Sequence, residues 1–484
     1  MRQVRGLGAG HPWREPIGIR SRARDATPMS LLRVLGTAFG VAVIIGNTIG
    51  VGILRTPGEV AEQLPTVPLF LAVWLVGGLY AMLGALTLAE LGAMVPRSGG
   101  QYVFVRRALG PYPGFVVGWS DWISTCGSMA AIAIVLGEYT GPLIAPLAGR
   151  AAYTAIAVVI AFALLQWRGI RIGDAVQQGM SLIKALALLG LAAVALILPG
   201  AAGPLDIART AAAAPPITGG AAVTTAAVIA AAPAGLALGA AIIIALQSVI
   251  YTYDGWTGPI YFGEEVKEPG RDIPRAMIGG VLLVIVIYLS LNVAFLRVVP
   301  IGDMAGDPFV AATVAARVLG PSGDTVIRVL MILSMLAAVN AIQLMASRVP
   351  YAMSRDGMLP ARLMKVNEGG TPVPSLLLGT TVTIAFIATN TFETVLALLA
   401  FFFVLSYTLS FTSLFVLRRR ERDTSRPFRT PAYPWVPGIV LAGSVAFLTG
   451  AIAGDRENSV RALLLLAASY PVYRVVRRVA RPRD

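Results

Sequence analysis

The sequence predicts an all-α integral membrane protein that crosses the bilayer about twelve times, with its first and sixth helices broken at mid-membrane. Three observations carry this expectation. The 484-residue chain is 56% hydrophobic and only 13% charged, with a mean hydropathy of +0.74. A water-soluble domain of that length needs far more polar surface. Apolar runs of about 20 residues recur, each long enough to cross about 30 Å of hydrocarbon. No barrel-type alternation is evident. Lipid cannot satisfy an open backbone, so the spans are expected to be helices.

In order, the spans read as 31–64, 67–95, 111–140, 151–167, 175–199, 234–262, 275–299, 323–347, 374–391, 393–417, 434–453 and 458–473. The net charge of +14 follows their alternation. Most Lys and Arg fall in every second connection, such as "EEVKEPGRDIPRA" (264–276) and "RRRERDTSRPFRTPAYP" (418–434). The exceptions near the other side are Arg55, Arg150, Arg209, Arg297, Arg317, Arg328, Arg456 and Arg461. That asymmetry obeys the positive-inside rule and predicts both termini in the cytoplasm. Basic charge placed this way is explained by membrane orientation, so no nucleic-acid partner is expected.

Residues 1–28 are basic, broken by Pro and Gly and without an apolar core, so they are expected to form a disordered cytoplasmic tail and not a signal peptide. Met29 stands directly before the first span, and the sequence leaves open whether it is the start. The Ala-, Pro- and Gly-rich stretch about 200–233 reads as an external loop, and 477–484 as a basic cytoplasmic tail. "SGGQYVFVRRALG" (98–110) is amphipathic and is expected to lie along the cytoplasmic surface.

The first span contains "VAVIIGNTIGVGILRTPG" (41–58), with Gly46, Gly50 and Gly52 together and Pro57 following. Each interior Gly costs about 1 kcal/mol relative to Ala. Gly46-x-x-x-Gly50 also fits close helix packing. The sixth span tips the balance towards a break. It reads "IIIALQSVIYTYDGWTGPIYFGEE" (242–265), with Asp254, Gly255, Gly258 and Pro259 at its centre. Pro removes a helical hydrogen bond, and a carboxyl at bilayer depth is expensive. Interrupted spans at matching positions of two inverted halves point to a transporter binding site. Unwound segments expose N–H groups to an anion and C=O groups to a cation. A zwitterionic amino acid offers both.

"GNTIGVGILRTPG", "GALTLAELGAMVPRSGGQYVFVRRALGPYPGFVVGW" and "YTYDGWTGPIYFGEEVKEPGRDIPRAM" occur in that order. With these blocks the chain resembles the amino acid–polyamine–organocation superfamily, over about 30–430. Within it the resemblance is to L-type amino acid exchangers and their bacterial relatives. The resemblance implies a LeuT-type fold with a 5+5 inverted repeat, the first about 31–199 and the second about 234–417, and two extra helices about 434–473. Together 29–476 would form one transporter domain. It implies that Thr48, Ile49, Gly50, Val51 and Gly52 hold the substrate carboxylate at the helix 1 break. Relatives often carry a small hydroxyl residue where this chain has Val51. It further implies that Tyr251, Thr252, Asp254 and Trp256 form the helix 6 side of the site, with Tyr251 closing over the substrate from outside.

Lys184, in "QQGMSLIKALALLGLAAVAL", lies about ten residues past Asp174, or roughly 15 Å into a helix. Snorkelling to the interface is the alternative to a buried role. By resemblance Lys184 ties helix 5 to the helix 1 break, where sodium-coupled relatives hold an ion. Glu90 is expected to cap or pair with loop cations, and Asp121 and Glu138 to lie near the interfaces, with a proton-carrying role as the alternative. Arg55 is expected to meet an acid of the outer vestibule or water. Glu264 and Glu265 with Lys267, Arg271 and Arg275 are expected to form a cytoplasmic charge cluster acting as an inner gate or a packing lock, without substrate contact. Asp254 is expected to bond backbone N–H groups of its own break. Cys126, Gly127, Ser334 and Asn340 are weaker candidates for the pocket lining.

The expected function is secondary active transport of L-amino acids across the cell membrane, sodium-independent, by exchange or proton-coupled uptake. The alternatives are a polyamine or cationic amino acid transporter and a membrane sensor. No nucleophile–base cluster, phosphate loop or His-rich metal site is visible, so neither an enzyme nor a cofactor is expected. The chain has one cysteine and none in the loop "EYTGPLIAPLAGR" (138–150) after helix 3. That rules out a disulfide-linked heavy chain at that loop, while the lipid bilayer and a small amino acid remain the expected partners.

Overall fold

A computed structural model describes residues 30–197, 234–389, 392–454 and 456–479. The N-terminal tail, Met29, the loop 200–233 and residues 480–484 of the C-terminal tail lie outside the described residues. The described chain is helical throughout, apart from two isolated bridges, Leu35 with Val266 and Ser98 with Phe262.

The first span is a bent pair, α1 (Thr37–Thr48) and α2 (Gly52–Gln63), at 51° to one another. Then come α3 (Val67–Met94), α4 (Gln101–Leu109), α5 (Pro111–Thr140), α6 (Ala151–Trp167) and α7 (Ile170–Ile197). The second series begins with α8 (Ala234–Thr252), a loop and a 3-10 turn (Gly258–Tyr261). It continues with α9 (Pro269–Val298), α10 (Val310–Leu319), α11 (Gly323–Arg355), α12 (Val373–Thr389) and α13 (Phe392–Arg420). α14 (Trp435–Gly454) and α15 (Arg456–Val479) close the described chain.

Among the described residues, 7 helices are long and apolar enough to cross a membrane, or 8 with the bent pair as one span. The remaining predicted spans are the shorter apolar helices α6, Leu238–Thr252, α12 and Trp435–Gly450. The sixth differs from its expected extent. Beyond Thr252 the chain leaves the α-helix, and only the four-residue 3-10 turn remains of its second half. Pro259 within that turn cannot donate to a helical ladder.

α3 packs along α9, α5 along α11 and α13, and α1 crosses α7, α9 and α11. Apolar burial does not drive such contacts within lipid, so close approach and interhelical hydrogen bonds must. Gly46 shows the first device. A Cβ there would fall 2.0 Å from Gln177 Nε2 and 3.3 Å from Ala337 O. Gly50 has nothing within 4 Å of a Cβ position. The close-packing reading therefore holds for Gly46 and not for its partner in the motif.

Several sequence expectations are corrected. α4 is not an exposed amphipathic helix but is packed into the protein. Tyr102, Phe104 and Val105 are buried, and the helix packs between α5 and α13. Asp121 is not at an interface but 1% exposed, deep on α5. Glu264 and Glu265 do not pair with Lys267, Arg271 or Arg275. Their nearest partners lie at the end of α11, with Arg97 of the loop before α4 at 4.0 Å from Glu264. Arg348 grips Glu265 through two hydrogen bonds of 3.0 and 2.7 Å, and Arg355 pairs with Glu264. Arg271 turns instead to Glu268 and Asp272. Glu90 meets its expected cations: Arg418 Nε at 2.8 Å and Arg426 Nε at 3.4 Å. Arg55 is exposed and donates to the Pro308 carbonyl, with no acid in its place.

Candidate substrate site between two helix breaks

The first break forms because α1 ends at Thr48 and the chain turns extended at Ile49, with φ −78° and ψ 94°. α2 then starts at Gly52 with no side-chain cap. The first backbone N–H groups of a helix have no partner within it. Here they open towards a cavity, and the helix dipole adds a partial positive charge.

The second break is held against the first by glycine. Gly255 has φ +114°, and a Cβ there would stand 2.9 Å from both Thr48 N and Thr48 Oγ1. Only a residue without a side chain allows that contact. Asn47 Nδ2 donates to Gly255 O at 3.1 Å. The Tyr288 hydroxyl of α9 lies 2.9 Å from Thr48 O and 3.1 Å from Thr252 O, bridging the ends of α1 and α8.

Between the breaks is a cavity of about 240 Å³. The first break contributes Thr48, Gly50, Val51 and Gly52, and the second Tyr251, Thr252 and Asp254. The structure thus brings these seven predicted residues together. Ile49 and Trp256 do not line the cavity. Ile49 is fully buried. Trp256 stacks on Tyr407 at 5.4 Å between ring centroids and lies against Gly84. Lys184 also stands outside the lining. Its Nζ donates to Gly46 O at 3.1 Å and Ser334 O at 3.2 Å, so it ties α7 to α1 and α11. Of the weaker candidates, Cys126 bonds the Gly379 carbonyl and Asn340 donates to Gln177; neither they nor Gly127 and Ser334 line the cavity.

Asp254 is the one carboxyl among the lining residues, and no Lys, Arg or His accompanies it. The Tyr407 hydroxyl of α13 donates to Asp254 Oδ1. Thr48 Oγ1 is buried with no hydrogen-bond partner. Such a group is costly unless a ligand or water completes it. Sequence reasoning did not single out Tyr407, Gln101, Thr125, Ser128 or Tyr261, all of which line the cavity. The available signal was polarity at membrane depth, as in "FVLSYTLSF" and "SDWISTCGS". Among the described residues no cluster of His, Cys, Asp and Glu could hold a metal ion.

The described chain is a bundle of apolar helices long enough to cross a membrane, with one cavity lined by two helix breaks. Residues 35–468 match the amino acid permease family model, and the chain belongs to that family. It has the all-helical LeuT-type fold. The chain is similar to the serine/threonine exchanger SteT of Bacillus subtilis, at 28% identity, with 92% of this chain and 96% of that protein covered. It is also similar to the mouse b(0,+)-type amino acid transporter 1, at 27% identity over 88% of this chain and 84% of that one. The human large neutral amino acids transporter small subunit 2 is 27% identical over 83% of this chain and 72% of its own length.

Proposed function

We propose that this permease carries L-amino acids across the cytoplasmic membrane, without sodium, by exchange or proton-coupled uptake with alternating access. The observation that carries the reading is the pair of facing breaks around one cavity. The uncapped start of α2 suits a carboxylate. The carbonyl ends of α1 and the turn after α8 suit an ammonium group. Thr48 Oγ1, buried and unpartnered, awaits a polar ligand atom. The cavity, at about 240 Å³, is smaller than the roughly 300–1,000 Å³ of drug-sized ligand pockets, which favours a compact substrate.

Sodium independence rests on Lys184. Its ammonium already occupies two backbone carbonyls at the end of α1 and on α11. A monovalent cation would have to compete with it for those oxygens. A polycationic substrate is disfavoured because the one carboxyl in the lining is engaged by Tyr407. Exchange accords with the name of the Bacillus relative. Both termini are read as cytoplasmic. The name of the human relative marks it as a small subunit. Any companion of this chain at the loop after α5 would bind without a disulfide, since 141–150 contains no cysteine.

The test is uptake of radiolabelled L-amino acids into proteoliposomes, with and without internal amino acids, sodium and a pH gradient. Uptake indifferent to sodium is the expected result. An absolute sodium requirement, or transport of polyamines only, would overturn the reading.

A further inference from the structure

Asp121 is used by nothing described so far. It stands on α5, 1% exposed. The Tyr261 hydroxyl lies 2.8 and 2.9 Å from its two oxygens. A buried carboxylate without a cation is expensive, and one hydroxyl compensates it only in part. The titratable groups that act on it are Tyr261 of the 3-10 turn and Asp254 of the second break. Cations of the neighbouring helices are turned elsewhere: Arg106 of α4 to Asp356, Arg348 of α11 to Glu265, Arg418 of α13 to Glu90. α6 and α12 carry no charged residue, and Arg474 of α15 bonds Tyr470.

Tyr261 also lines the substrate cavity. It is therefore a two-faced group, with the cavity on one side and a buried carboxyl on the other. We propose that Asp121 is the residue that couples amino acid transport to protons, with Tyr261 as the relay between Asp121 and the cavity. The proposal rests on the reading of the cavity as an amino acid site.

With Asp121 ionised, the single hydrogen of Tyr261 is committed to it. A proton arriving from the cavity adds to Tyr261 Oη as the original hydrogen passes to Asp121. The net change is one proton on Asp121 and none on Tyr261. Asp121 then donates to Tyr261, and the Tyr261 hydrogen faces the cavity as a new donor for substrate. Proton and substrate binding thus favour each other, as linkage requires. The same bond joins α5 to the segment that carries the second break. Pulling them apart with Asp121 ionised leaves a buried charge bare, and protonation removes that obstacle.

The full chain is tested in proteoliposomes loaded with the pH dye pyranine, with an equimolar mixture of radiolabelled L-amino acids as the probe. Wild type is expected to accumulate label when the outside is made acid, with internal acidification alongside. Asp121→Asn is expected to keep exchange of label for internal amino acids and to lose acid-driven accumulation by about tenfold or more. Tyr261→Phe is expected to lose acid-driven accumulation too. Acid-driven accumulation retained in Asp121→Asn overturns the proposal, as does wild-type exchange without proton movement. If Asp121→Asn shows no exchange and so has not folded, the wild-type dye signal and Tyr261→Phe decide by the same criteria. A wild type that neither takes up nor exchanges any amino acid overturns the reading of the cavity instead.

Discussion

Gly50 and Gly255 both line the cavity, yet only Gly255 is held to glycine by its backbone and its contacts. At Gly255 the backbone is left-handed and a Cβ would strike Thr48. Gly255→Ala is expected to cost about 1–3 kcal/mol of stability and to push the two breaks apart. At Gly50 nothing lies within 4 Å of a Cβ. Gly50→Ala is expected to melt within a degree or two of wild type, because surface-like additions without a clash cost about 0.5 kcal/mol or less, while its methyl group narrows the cavity and weakens uptake. Melting curves beside uptake assays separate the two. Lys184→Ala is expected to leave a folded protein that loses uptake about tenfold or more, since two charge-assisted hydrogen bonds of roughly 1.5–3 kcal/mol each fix α7 to α1 and α11. Wild-type uptake by that variant would remove Lys184 from the mechanism. Gly255 was legible because few residue types tolerate a left-handed backbone in so close a contact. Tyr407 was not, because a tyrosine in an apolar span reads equally well as packing until Asp254 is seen opposite it.

Between elements, the Glu265–Arg348 pair is a fully buried tie, with both side chains 0% exposed. Arg348 also donates to Leu344 O and Ser347 Oγ and lies over the Phe262 ring at 5.0 Å. Removing one partner strands a buried charge. Arg348→Met is expected to lose about 3–5 kcal/mol, and the double variant Glu265→Leu/Arg348→Met to recover most of it. Thermal unfolding of the singles and the double closes that cycle, and a double variant as unstable as the single would mean that the pair contributes more than it costs to bury. The sequence marked the two glutamates but assigned them neighbouring cations. Proximity along the chain was misleading, because the loop after the 3-10 turn runs inward against Leu35, whose N–H and C=O bond Glu265 and Lys267. α4 misled for a related reason. Its basic end suggested a membrane surface, while Arg106 and Arg107 face Asp356 and Glu421 across the protein.

At the scale of the whole molecule, the span pattern was legible because hydropathy and loop charge are summed over many residues, and single departures average out. The depth at which two broken spans face each other was not, since it depends on contacts such as Gly255 against Thr48. Orientation follows from the same sums, and the chain offers a clean way to test it. Its one cysteine, Cys126, is buried and bonded to Gly379 O, so background labelling by a thiol reagent is expected to be low. Ala148 and Ser425 are both exposed and lie in connections of opposite charge character. The positive-inside rule puts Ala148 outside and Ser425, among the arginines of 418–429, in the cytoplasm. In intact cells a membrane-impermeant maleimide is expected to label Ala148→Cys and to spare Ser425→Cys until the membrane is opened. The reverse pattern would invert the whole molecule, putting both termini outside and turning the uncapped start of α2 towards the cytoplasm. Labelling of both in intact cells would mean that one of the two connections does not lie where the spans place it, and the count of crossings between 150 and 418 would have to change.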